Sequence, residues 1–432
     1  MKNPLIKISI LLFSCITVIS NVFAQAPSVK QEQAPTGKAH NVLFISTAHA
    51  NTAKITLLKE VAKERVASTW HIQQKSAKSL LDATNQTSTL VSLFNQYDLV
   101  ILDAVSVREA SAAFDNYAEA ISQVNSAVVA FKYLQNAKLN KALSADNAST
   151  LEDYWLNAGR RNLDNMLSYI AENVGNAKQA SSTLAMSATP TVSKVPAPII
   201  FPQQGIYHPA LPDLIIKDLA EYKKRRPVKP QQPKIAVLLQ RALIESEQTQ
   251  LIDATIAQLE AKGAYVVPFF FKLSPVTSDY SHLLQLPITK DGQVVGQETD
   301  VDLIINFRNI HWANQRKVEF EKFNVPVMQA MTYYSGDKET WEADMQGVSA
   351  NMMSFTLVLP ENAGVIDPMI VAAMNMTDQK VEVIDYQLEH LVNKAINVVN
   401  LKYKANKDKK LTLFVWGDKD VGASFMNIPK SI

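Results

Sequence analysis

The sequence predicts an α/β protein of more than one domain, with parallel-sheet units joined by helical connections. Three observations carry this. Short β-rich apolar runs alternate with stretches whose apolar residues fall at helical spacing. The chain has 432 residues, more than one ordinary domain, and its length sets an expectation of two to three. A Pro-, Ser- and Ala-rich stretch over 176–204 divides the alternating pattern in two.

Composition removes several function classes. Lys and Arg number 43 against 41 Asp and Glu. The first 24 residues hold two lysines and no acid, so the remainder balances at 41 of each. A neutral chain has no excess charge with which to hold a polyanion, so no nucleic-acid partner is expected. Hydrophobic residues at 47% and charged residues at 19% are ordinary for a folded protein. With 12 Gly and no GxGxxG or GxxxxGK[ST], no nucleotide site is expected in this chain.

Taken in order, residues 1–24 read as a signal peptide. Lys2 and Lys7 form a positive start, and Ile8 to Val18 is an apolar run too short to span a bilayer. Val22-Phe23-Ala24 offers a cleavage site before Gln25, which places the mature protein in a periplasm. Cys15, the one cysteine, leaves with the leader, so no disulfide and no thiolate metal site is expected. Residues 25–38 are polar and Pro-bearing, a linker.

The N-terminal α/β domain covers 39–175. Asn41–Thr47, Asp98–Val105 and Ser126–Phe131 are buried-strand runs; Ile55–Ala67, Glu109–Val124 and Tyr154–Val174 have helical spacing. After 176–204, a linker or an extended crossing segment, comes a second region over 205–432. A helix is expected over 213–226, ending in Lys223-Lys224-Arg225-Arg226, where cations suit a helix C-terminus. Lys234–Leu239 is a strand and Gln248–Lys262 a helix closed by Gly263. Ala264–Phe271 is the next strand, its later half demoted by Pro268. Asp302–Phe307 and Val325–Ala330 add two more, so both units read as flavodoxin- or Rossmann-like. Leu411–Trp416 restarts a strand near the end, as though a further unit should follow.

Several blocks together resemble the CobN-type cobaltochelatase large subunits, relatives of the magnesium chelatase H subunit. Gly205-Ile206-Tyr207-His208-Pro209, followed by Pro212-Asp213 and a helix through Tyr222, is similar to that family's GIYHP segment. Tyr154-Trp155, Gly159 and Asn162-Leu163 resemble the helix before it. Lys234–Leu239, Thr249, Ile252-Asp253, Leu259-Glu260, Gly263 and Pro268 follow its strand, helix, strand pattern. Asn324-Val325-Pro326-Val327-Met328-Gln329-Ala330, Trp341 with Gly347, Leu359-Pro360-Glu361 with Gly364, Ile366 and Pro368, and Gly422–Ser431 resemble later blocks in family order. The chain departs from the family in length and stops inside a block that joins two halves. Val348 and Asn362-Ala363 also depart from the family pattern.

The resemblance implies a tetrapyrrole-binding protein that takes part in inserting a divalent metal substrate, cobalt, into a corrin-type macrocycle, with a second polypeptide supplying the C-terminal half. The alternative is a periplasmic, non-catalytic carrier of a tetrapyrrole or metallo-tetrapyrrole, linked to uptake. Insertion needs an apolar cleft, a base for the pyrrole N–H protons, and oxygen or imidazole ligands for the ion. His208 is the metal and catalytic candidate, in an irregular segment where a ring can face a cleft; the bland reading is an imidazole that bonds nearby backbone and packs. Glu361, after the apolar run Phe355–Leu359, is expected at a strand end as metal ligand or proton acceptor, or else as a helix-start carboxylate; Asp367 is its catalytic partner. Tyr207, Arg241, Arg308, His311 and Trp312 are the substrate-contact candidates. The last three follow a strand end, where open α/β sheets place ligands. Arg241 would meet a propionate or amide, or simply an acid such as Glu245.

The leader reading is checked by intact mass of the protein from a periplasmic extract. The expected species begins at Gln25; a species that keeps Met1 would remove the reading.

Overall fold

The computed structural model describes residues 39–47, 52–65, 69–83, 87–174, 194–211, 215–271, 279–348, 350–375, 380–410 and 412. The leader, the 25–38 linker, the strand expected over Leu411–Trp416 and the block Gly422–Ser431 lie outside these residues.

The first unit is a parallel sheet of β1 (Ala39–Ser46), β2 (Thr69–Ser76), β3 (Leu99–Asp103) and β4 (Ala127–Ala130), in the order β2-β1-β3-β4. Every side chain of β3 and β4 is buried, as the unbroken apolar runs LVILD and AVVA require of strands covered on both faces. Along β1 the faces alternate. Val42 and Phe44 join a cluster with α1 (Thr52–Glu64), α6 (Ala145–Asn157) and α7 (Gly159–Asn173). Leu43 and Ile45 join the opposite cluster, under α2 (Ala77–Ala83), α3 (Thr87–Phe94), α4 (Val107–Phe114) and α5 (Ala118–Gln123).

Three sequence expectations shift here. β2 was not anticipated: TWHIQQKS is a polar edge strand with no apolar run to announce it. The helix expected over Glu109–Val124 is two helices joined by a 3₁₀ turn at Asp115–Tyr117. The helix expected over Tyr154–Val174 starts earlier and breaks between α6 and α7, where Ala158 and Gly159 both take positive φ, 36° and 73°.

The second unit is an eight-stranded sheet in the order β14-β13-β12-β11-β7-β8-β5-β6. Its parallel centre is β7 (Lys234–Leu238), β8 (Tyr265–Phe270), β11 (Leu303–Asn306), β12 (Val327–Tyr333) and β13 (Val365–Met374). Antiparallel strands finish both edges: β5 (Gly205–Tyr207) with β6 (Ile215–Ile216), and β14 (Val381–Val383). The helices are α8 (Leu219–Arg225), α9 (Arg241–Glu245), α10 (Gln250–Ala261), α11 (Ala313–Phe323), α12 (Lys338–Ala343), α13 (Ala350–Met353), α14 (Leu359–Asn362) and α15 (Asp385–Tyr403). A separate hairpin of β9 (Gln285–Lys290) and β10 (Gln293–Thr299) stands outside the sheet.

Pro268 does not demote β8, which stays buried through Phe270. Tyr265 donates to Pro233 O and Phe269 O accepts from Leu239, so odd-numbered residues of β8 face β7. Pro268 turns its donor-less nitrogen the other way, toward β5, whose pairing with β8 covers only Phe269 and Phe270. The helix expected over 213–226 is shorter because Ile215-Ile216 pair with β5 instead.

Residues 194–204 are not a loose connector. Tyr154 OH donates to Pro196 O at 2.5 Å. Asn162 donates to Ile199 O at 2.8 Å and accepts from Ile199 N–H at 2.9 Å. Phe201 N–H donates to Asn157 Oδ1 at 2.8 Å. Prolines leave an extended strand few donors of its own, so side chains of α6 and α7 satisfy its backbone. The units also meet through ion pairs: Arg160, which pairs with Glu64 of its own unit at 2.7 Å, reaches Glu247 at 3.2 Å, and Lys380 pairs with Glu60 at 3.0 Å.

Asn162 is buried and makes two of the strap's bonds. Asn162→Ala is expected to lower the unfolding free energy by about 2 kcal/mol in urea titration and to release amide protection at Ile199 first.

Candidate functional site

The carboxyl end of β11 is built around a buried amide pair. Asn306 Nδ2 donates to Gln329 Oε1 on β12 at 2.7 Å and to Arg308 O at 2.9 Å, while Asn306 Oδ1 accepts from Arg308 N–H at 3.1 Å. The turn they fix sends Arg308 back beneath the surface. Its Nη1 donates to Phe271 O at 2.9 Å and its guanidinium lies 4.4 Å from the Phe271 ring centre. Burial, with the Arg316 cation nearby, brings the Arg308 guanidinium down to about 10.

The same turn brings His311 and Trp312 to the rim. Trp312 takes a left-handed φ of 54°, caps α11 and is 46% exposed. The His311 ring lies 5.8 Å from Trp312 and 4.9 Å from Phe355, and Ile310 N–H donates to Phe355 O at 3.3 Å. Phe355 sits in a π-helical turn, Ser354–Val358, a rare geometry that frequently marks functional positions. Burial, then Arg308 and Arg316, lower the His311 pKa, so near neutral pH the ring is uncharged and one nitrogen can accept a proton or ligate a metal. Trp312, Phe355, Met353 and Val358 are all exposed large apolar side chains, three of them on one short helical stretch. A buried cation, a neutral imidazole and aromatic rings thus share one rim, a surface that suits a flat apolar ligand.

The other candidates lie elsewhere. His208 follows β5 and is buried. Its Nδ1 accepts from Ala210 N–H at 3.1 Å and its Nε2 faces Glu260 Oε1 at 3.1 Å, so the ring packs instead of facing a cleft. Arg226 lies at the same edge and pairs with Glu260 at 2.7 Å. Burial, then Arg226, lower the His208 pKa. Tyr207 is buried too, donates to Asp253 Oδ1 at 2.8 Å, and is pushed up to about 12 by burial.

Glu361 is exposed in the first turn of α14 and not at a strand end, because Phe355–Leu359 forms helical turns. Asp367, at φ 53° where the register between β12 and β13 shifts, pairs with Lys394 at 2.7 Å. β5 and β13 are five strand positions apart, roughly 24 Å at ~4.8 Å per strand, so His208 and Glu361 are not brought together. Arg241 opens α9 and pairs with Glu245 at 2.9 Å. Among the described residues, no group of three or more His, Cys, Asp or Glu is placed to hold a metal ion.

Sequence reasoning missed Asn306, Gln329 and Phe355. The available signal was one amide inside each of two apolar strand runs, DLIINF and VPVMQA, since a buried side-chain amide must find partners.

The family model described as CobN/Magnesium Chelatase matches residues 152–432. The chain is 27% identical over 315 residues to the chloroplastic magnesium-chelatase subunit ChlH of Oryza sativa subsp. indica, covering 68% of this chain and 22% of that protein. It is 23% identical over 194 residues to the aerobic cobaltochelatase subunit CobN of Sinorhizobium sp, covering 42% of this chain and 14% of that one. The solved catalytic subunit of cobaltochelatase from Mycobacterium tuberculosis superposes with a TM-score of 0.51 at 15% identity, over 86% of this chain and 28% of that chain, a likeness of fold. The chain spans under a quarter of the length of these curated relatives.

His208 gives a stability prediction. The folded state keeps the ring neutral, whereas the unfolded chain takes up a proton near pH ~6.5. The contribution is therefore present above that pH and is lost as pH falls below it. His208→Gln is expected to lower stability at neutral pH by about 1–3 kcal/mol and to flatten the decline below pH ~6.5 in urea titrations across pH.

Proposed function

We propose a function that proceeds from one fact: the chain belongs to the CobN/magnesium chelatase family. In this reading it binds a tetrapyrrole on the rim at the carboxyl end of β11 and takes part in inserting a divalent metal substrate, cobalt, into a corrin-type macrocycle. The observation that carries the reading is the exposed Trp312 and Phe355 beside the half-buried His311, backed by the buried Arg308. Trp312 and Phe355 stack against the macrocycle, His311 faces its centre or a peripheral acceptor, and Arg308 supplies positive potential beneath a carboxylate side chain. A second polypeptide supplies the remaining catalytic surface, against which the exposed Glu361 can act as proton acceptor. Export and cleavage after Ala24 place this chemistry in a periplasm.

One observation favours the carrier alternative. His208 already has Ala210 and Glu260 as partners and follows β5, five strand positions from the β13 edge that Glu361 precedes, so this chain alone offers binding without a joined metal-delivery pair. Both readings share the macrocycle rim.

The test is titration of a free-base porphyrin with carboxylate side chains, followed in its visible spectrum. A saturable band shift is expected, at least tenfold weaker (~1.4 kcal/mol) in Trp312→Ala. An unchanged spectrum at high protein concentration would overturn the rim assignment. Cobalt insertion that appears only when a polypeptide resembling the rest of the relatives is added supports the enzyme reading. Binding without insertion supports the carrier.

A further inference from the structure

We propose that the crevice between the two units is a second binding site, one that takes a compact oxyanion, a carboxylate or phosphate group. It encloses about 220 Å³ and is lined by Lys54, Asp103, Lys132 and Trp155 from the first unit and Arg241 and Glu245 from the second.

Topology puts it where ligands bind in open α/β sheets. In the order β2-β1-β3-β4 the chain leaves β1 to one side for β2 and returns to the other for β3, so the switch point lies between β1 and β3. The carboxyl ends there are Ser46 and Asp103, which are register partners.

A second observation points to a missing ligand group. Ser46 is 3% exposed, and its Oγ has no hydrogen-bond partner among the described residues. Ser46 shares a face with Phe44, and Asp103 with Ile101, because residues two apart in a strand point the same way. That face is the Trp155 side: Phe44 packs 4.9 Å from the Trp155 ring, and Trp155 Nε1 donates to Asp103 Oδ1 at 3.0 Å. The Ser46 hydroxyl is thus turned to the crevice side of its strand. A buried polar group without a partner is rare and costly, and a ligand oxygen would satisfy it.

Charge selects the ligand. Three cations line the crevice against two carboxylates, and Glu245 is already spanned by Lys54 at 3.0 Å and Arg241 at 2.9 Å. Asp103 is pushed up to about 6 by burial; Trp155, Lys54 and Lys132 oppose the rise, and Glu109 adds to it. The lining therefore carries a positive excess that grows when Asp103 holds its proton, which it can donate to an anionic oxygen. A metal cation would meet three like charges.

The site is tested on the whole chain with glutarate and inorganic phosphate as separate probes, following the tryptophan indole N–H resonances. A saturable shift is expected in the resonance that Trp155→Phe removes, with binding at least tenfold weaker in Ser46→Ala and in Lys132→Gln and unchanged in Trp312→Ala. Binding is expected to weaken as pH rises through about 6 and to lose that dependence in Asp103→Asn. Saturation by glutarate alone identifies a carboxylate ligand, and by phosphate alone a phosphate ligand. Saturation by neither at millimolar concentration, or saturation indifferent to both Ser46→Ala and Lys132→Gln, overturns the proposal. The porphyrin titration reads a different rim, so the two assignments fail separately.

Discussion

The shape of this protein depends on one carboxylate. Glu245, on a helix of only five residues, is held between Lys54 of the first unit and Arg241 of its own. All three side chains are largely withdrawn from water, so Coulomb attraction there is weakly screened, but desolvation is costly. Such a triad is better evidence of specificity than of net stability: two sheets with apolar faces could meet in many ways, and one satisfied buried charge set admits few of them. Lys54 also donates to Trp155 O at 3.2 Å, and Trp155 carries the contact on to Asp103. One continuous polar chain thus runs from the second unit to the end of β3.

The α/β class, and the strands at the centre of both sheets, were legible because buried parallel strands must be apolar on both faces, and LVILD, KIAVL and LIIN are. Edges were not. β2 is polar, β6 is two residues long and β14 three, so none leaves a periodic signal strong enough to compete with a helix or loop reading. Phe355–Leu359 shows the converse failure. A short apolar run does not separate a strand from a helical turn, and here the turn won.

The candidate site was legible in part for a similar reason. Arg308, His311 and Trp312 follow a readable strand, so their location at a sheet mouth could be inferred without knowing the partners. His208 and Glu361 were grouped by chemistry alone, and sequence carries no information about the five strand positions between β5 and β13. Asp103 stood at the end of a predicted strand, yet its significance rests on Trp155, 52 residues away, and on the charge of Lys54 on the same side of the crevice, neighbours that only the folded chain supplies.

Composition alone marks 176–204 as the natural place to divide the polypeptide. The bonds made by Asn157, Asn162 and Tyr154 reverse that advice for its later half. Phe201 belongs to both units: its N–H is held by α6, while its ring packs on Phe270 and lies under the Arg241 guanidinium. A fragment beginning at Gly205 would start its sheet with an uncovered aromatic face and an arginine stripped of its platform. Residues 194–204 are therefore inherited jointly, and any dissection of this protein into pieces must leave them attached to both.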